Sequence, residues 1–88
     1  MHERALMQDL MSRIETVARE QGASRVLKVQ VWLGALSHLT ASHFREHFEQ
    51  AARGTCAEQA AVEVELSEDI HHPSARGIVL KNIEVEDS

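Results

Sequence analysis

One cysteine, one proline, no tyrosine and an aromatic content of 3% in 88 residues remove several classes of protein at once. A lone Cys56 makes no internal disulfide, and without CxxC or any other paired cysteines there is no structural zinc site, so a reducing cytoplasmic setting is expected. Basic residues are scarce, with 9 Lys+Arg against 14 Asp+Glu and a formal net charge of −5, which denies the chain the positive footprint that phosphate backbones require. Nucleic acid is not an expected partner. Long apolar runs are missing too. The most nearly continuous one, residues 31–36, is far too short to span a bilayer, and Arg4, Asp9 and Arg13 interrupt what would otherwise be a signal-peptide core. No membrane partner is expected. Phosphate-binding glycine loops, nucleophile elbows and basic helical stripes are equally lacking, so nucleotide-dependent and hydrolase chemistry have no motif to stand on.

What is present reads as one compact domain. Leu6, Leu10, Ile14 and Val17 recur at helical spacing, flanked by Met7, Met11 and Ala18, and predict an amphipathic helix over residues 3–21 that stops at Gly22, a residue able to take positive φ at a helix end. Leu27, Val29, Val31 and Leu33 alternate with Lys28, Gln30 and Trp32 and predict a strand with one buried face. Trp32 falls on the polar face, where it covers a neighbouring edge or loop or else contacts a partner. Thr40 or Ser42 caps a second helix carrying Phe44, Phe48 and Ala51 or Ala52 and ending before Gly54. Val62, Val64 and Leu66 alternate with Glu63 and Glu65 in a second strand, and residues 78–85 form a third, with a loop over 67–77 containing Pro73 and Gly77. The acidic residues Glu63, Glu65, Glu68, Asp69, Glu84, Glu86 and Asp87 read as solvated strand faces and flanks.

The order α-β-α-β-β predicts an α+β fold, a two-layer sandwich in which a three-stranded sheet is covered on one face by two helices.

Four groups of residues bear on chemistry. Met1, His2 and Glu3 pack an α-amine, an imidazole and a carboxylate into three positions. The amine of Met1, the deprotonated backbone nitrogen of His2 and its Nδ1 can close fused chelate rings around one ion, a planar nitrogen set that suits Ni(II) or Cu(II). A fourth position is open to the backbone nitrogen or carboxylate of Glu3. Because the first N–H groups of a helix have no carbonyl partner within it, such ligation breaks no helical hydrogen bond. His43 to His47 spell H-x-x-E-H, an inverzincin metalloprotease pattern. A chain this small offers neither the third ligand nor the water-excluding cleft that such an enzyme needs, so the two imidazoles read as exposed neighbours of the Phe44/Phe48 stripe or as an incidental metal site. His71 and His72 precede Pro73 in the last loop and read as turn residues, with metal binding as the alternative. Cys56 reads as a small hydrophobe rather than a reactive thiolate.

The Met1-His2-Glu3 start, the segment Gly22-Ala23-Ser24-Arg25-Val26 and the strand from Val29 through Gly34 to Ser37 together resemble the HypA/HybF family, nickel metallochaperones of hydrogenase maturation. The resemblance continues through Phe48-Glu49, Gly54-Thr55, Ala57-Glu58, the Val62–Glu65 alternation and the closing Leu80-Lys81-Asn82-Ile83-Glu84-Val85-Glu86. It implies a non-enzymatic, cytoplasmic protein whose single nickel-binding domain occupies residues 1–88. It also implies Ni(II) bound by Met1, His2 and Glu3 for delivery to [NiFe] hydrogenase or urease, with a HypB-type GTPase and the hydrogenase large subunit as partners. The family inserts a zinc domain with two CxxC motifs between the last two strands, whereas here residues 67–77 alone connect them, so no structural zinc is expected. The alternative is an adaptor that keeps the fold and binds a maturation GTPase or enzyme precursor without metal; exchange of the last strand between two chains would give a homodimer.

Overall fold

The computed structural model describes residues 2–86, the first two of these by their backbone alone. Five elements follow in the order helix α1 (His2–Glu20), strand β1 (Val26–Leu33), helix α2 (Ala41–Ala52), strand β2 (Ala61–Leu66) and strand β3 (Ile78–Val85). This is the expected α+β arrangement. The sheet has the order β2-β1-β3, with β1 parallel to β2 and antiparallel to β3. A parallel pair cannot be joined by a hairpin, so α2 is the crossover between β1 and β2.

Local chemistry fixes the element ends. α1 stops at Gly22, whose φ of 68° lets Ala23 donate its N–H back to the carbonyl of Ala18 at 2.9 Å. Of the two candidate caps for α2, Thr40 is the one used: the His43 N–H donates to its hydroxyl at 3.1 Å. Beyond α2, the Gly54 N–H donates to the Glu58 carboxylate at 2.8 Å.

Both helices cover one face of the sheet and share a single core. Ile14, Val26, Val29, Val31, Leu33, Phe44 and Phe48 are its largest fully buried side chains, and among the described residues no charged or polar residue is buried with them. Two details differ from the sequence pattern. The buried line on α1 runs through Met7, Leu10, Met11, Ile14 and Ala18, while Leu6 and Val17 are only half-buried, because α2 packs against one side of the helix and rotates its contact stripe. On β1, Val26 is buried and Leu27, expected inward, is 46% exposed. The pairing with β3 shifts between Val26 and Lys28, a bulge that resets the alternation and turns Leu27 outward. A second shift, between Gln30 and Val31, leaves Lys81 as the extra residue on β3. Leu66, likewise expected inward, lies at the end of β2 and remains 55% exposed.

The segment 67–77 is folded back onto the end of β1. Gly34 donates its N–H to the Gly77 carbonyl at 2.9 Å, Leu36 donates to Ala75 at 2.7 Å, and Ser67 donates to Leu33 at 2.9 Å. Ala75 is buried. A Cβ on Gly34 would overlap the backbone carbonyls of Ala75 and Ser74, so glycine is needed here for close approach rather than for an unusual φ.

Gly34→Ala is therefore expected to destabilise the fold by about 1–3 kcal/mol, the range for forced overpacking. Gly22→Ala, which meets open space but must hold a positive φ, is expected to cost about 1 kcal/mol. Urea unfolding followed by circular dichroism checks both. A Gly34→Ala midpoint equal to the parent's would contradict the close approach.

Candidate functional site

Topology decides which chemistry-bearing residues meet. α1 turns directly into β1 and so runs opposite to it; α2, the crossover, also runs opposite to β1. The helices are therefore co-directional, and both begin at the end of the sheet where β1 and β2 finish and β3 starts, Leu33 standing opposite both Leu66 and Ile78. Side-chain contacts agree. Ala5, Leu6 and Asp9 of α1 share a cavity with Leu36, Ser37, His38 and Arg76. Arg4, Met7 and Met11 line a groove opposite His47, Ala51 and Thr55, and the Thr55 hydroxyl lies 3.8 Å from the Met11 sulfur.

This pole gathers the histidines. α1 starts at His2, His38 lies in the β1–α2 loop, His43 and His47 occupy the first turns of α2, and His71 and His72 lie in the β2–β3 connector. Of the expected metal ligands, Met1 lies outside the described residues, and for His2 and Glu3 only the backbone, the first residues of α1, is described.

The other histidines have distinct surroundings. The rings of His43 and His47 are 4.6 Å apart centre to centre, tilted by 49°. His72 is exposed but engaged: its Nδ1 accepts the Ser74 N–H at 2.9 Å and its ring lies 4.6 Å from that of Trp32. Trp32 is thus half-buried beneath a neighbouring loop. The His71 backbone N–H donates to the Asp69 carboxylate at 2.9 Å, forming a turn. His38 takes a φ of 62°, a region where histidine is enriched among non-glycine residues. Among the described residues no three His, Cys, Asp or Glu side chains are grouped to hold a metal ion.

The acidic strand faces are occupied by their own neighbours. Glu63 accepts from Gln30 Nε2 at 2.7 Å and Lys28 Nζ at 3.0 Å, and Lys81, the bulged residue of β3, reaches Glu65 at 3.3 Å. The hydrogen bond from Gln30 and then that from Lys28 hold the Glu63 carboxyl below its ordinary value of 4.5, and Glu63 in turn raises Lys28 above 10.5. Cys56 is half-buried, and burial, followed by the nearby Glu15 charge, pushes its thiol up, away from the reactive thiolate. No helix among the described residues is long and apolar enough to cross a membrane.

Comparison with known proteins places this geometry. The family model described as "Hydrogenase/urease nickel incorporation, metallochaperone, hypA" matches residues 1–72. The chain belongs to the HypA family. Curated relatives named hydrogenase maturation factor HypA include that of Methylocella silvestris, 35% identical over 66 residues, covering 75% of this chain and 58% of the relative. The Rhodopseudomonas palustris (strain TIE-1) protein is 41% identical over 64 residues, covering 73% and 57%. The Methanopyrus kandleri protein is 36% identical over 66 residues, covering 75% and 46%. The chain thus matches about half the length of these HypA proteins. Among solved structures, the Ni metallochaperone HypA from Helicobacter pylori superposes with a TM-score of 0.77 at 16% identity, covering 94% of this chain and 96% of that one. The shared fold is that of HypA.

The Glu63 titration midpoint, followed by NMR, is expected below 4.5 and to rise toward it in Lys28→Met and again in Gln30→Ala. A carboxyl depressed in the folded state stabilises above its unfolded pKa, and that contribution fades as the pH falls through the folded value. A midpoint at 4.5 in the parent chain would contradict the assigned contacts.

Proposed function

We propose that this chain is a nickel-carrying maturation protein that holds Ni(II), its cargo, through the Met1 amine, the His2 imidazole and backbone nitrogen, and the Glu3 backbone nitrogen. The observation that carries the reading is the family match, which begins at residue 1 and takes in the whole Met-His-Glu start. The fold supports it: α1 begins at His2, and the earliest N–H groups of a helix accept other duties because no intrahelical carbonyl needs them. Deprotonated amides and an imidazole form a nitrogen set suited to Ni(II).

The chain works by binding and release rather than by catalysis. Release follows when an acceptor offers better ligands or competes for the His2 ring, and acid weakens the hold because protons compete for the amine, the imidazole and the amide nitrogens. By family likeness the acceptor is a [NiFe] hydrogenase large subunit or a urease, reached with a HypB-type GTPase in the cytoplasm. Residues 67–77 stand where the zinc domain is inserted in the family pattern, making residues 1–88 a single nickel domain without structural zinc.

Equilibrium dialysis of the chain with its native start tests the proposal. His2→Ala is expected to lower nickel affinity at least as much as losing a hydrogen-bonded partner behind a metal ligand does, roughly 10–100-fold. Equal retention by parent and variant would overturn it.

A further inference from the structure

The H-x-x-E-H string sets two imidazoles side by side on α2, their ring centres 4.6 Å apart. On a helix, positions 43 and 47 lie one above the other on one face. Two imidazoles on adjacent positions of one ion, each bound at about 2.0–2.1 Å, bring their ring centres to about 4–5 Å. His43 and His47 already stand 4.6 Å apart. His43 is exposed and His47 half-buried, so water can complete the coordination sphere. An imidazole ligates through one nitrogen and can keep the other in a hydrogen bond.

Their position on the molecule is the second observation. Thr55 meets Met11, and His47 lines the same groove as Arg4, because α1 and α2 run in the same direction. His43 lies one turn back toward the N-terminus on α2, and α1 begins at His2, two residues ahead of Arg4. His47 therefore lies beside Arg4 of the first turn of α1, with His43 one helical turn away on α2. His72 lies elsewhere, its Nδ1 accepting from Ser74 and its ring against Trp32.

We propose that His43 and His47 form a second metal-binding station beside the first turn of α1, taking a borderline divalent ion of the Ni(II) or Cu(II) class through two imidazoles and water. Imidazole suits both ions, and two neutral donors without a carboxylate make a weaker hold than the amino-terminal nitrogen set. Such a station raises the local concentration of cargo next to the tighter site. The site rests on the geometry of α2; only its role as a loading station rests on the function proposed above.

Calorimetric titration of the full chain with Ni(II) tests it, using the parent, the double variant His43→Gln/His47→Gln and His2→Ala, each checked by circular dichroism. The parent is expected to bind two equivalents of unequal affinity, the double variant to lose the weaker one and His2→Ala to lose the tighter one. Unchanged stoichiometry and affinities in the double variant would overturn the station and leave the amino-terminal site standing. Loss in the double variant with none in His2→Ala would overturn the amino-terminal site instead. Should the double variant fold poorly, the ring signals of His43 and His47 in the parent decide: they shift or broaden with the second equivalent of nickel, or the station is absent.

Discussion

The parallel pairing of β1 with β2 is the constraint from which the rest of the molecule follows. Antiparallel neighbours can be joined by a few residues, but a parallel pair requires a crossover, and here α2 makes it. With α1 already folded back along β1, both helices must point the same way. Their N-termini, the C-terminal ends of two strands and the β2–β3 connector are thereby brought to one pole. All six histidines of the chain occupy segments that begin or lie there. The opposite pole holds the glycine-terminated ends of both helices, Gly22 and Gly54, and no histidine among the described residues.

Two helix N-termini give that pole a partial positive field, worth about 0.3–1 kcal/mol against a nearby exposed cation. Structural metal–nitrogen ligation is an order of magnitude stronger. Donor atoms, not the electrostatic field, must therefore account for the metal binding proposed there. The net acidity of the chain adds little: Glu63 and Glu65 are engaged by Lys28, Gln30 and Lys81 on the outer sheet face. The connector contributes shape. By lying against Gly34 and placing Ala75 in the interior, residues 67–77 close the pole with backbone hydrogen bonds, and His72 covers Trp32 from the same loop.

Most of the architecture was legible in the sequence because it rests on local periodicity. The five elements, the termination at Gly22 and the Phe44/Phe48 stripe follow from residue spacing and from single residues with special backbone freedom. Leu27 was misplaced because a bulge depends on pairing with β3, some fifty residues away, and period-two alternation carries no trace of it. Leu66 was misplaced because how far two helices cover a strand is a tertiary fact. The requirement for glycine at position 34 depends on a backbone that arrives from residues 74 and 75. At the site, the i,i+4 relation of His43 and His47 could be read from spacing, while their nearness to the start of α1 depends on strand order and helix direction. The amino-terminal donors Met1, His2 and Glu3 are proposed from chemistry and family likeness alone, since their side chains lie outside the described residues.

The central claim is that metal chemistry belongs to one pole of this fold. Paramagnetic broadening of backbone amide signals by Cu(II), which shares the preference for nitrogen donors, measures it most directly. Broadening should be confined to the start of α1, the loop around His38, the first two turns of α2 and the neighbouring connector, with Gly22, Gly54 and the end of β3 left sharp. Broadening centred on those last positions, or spread evenly over the chain, would contradict the account.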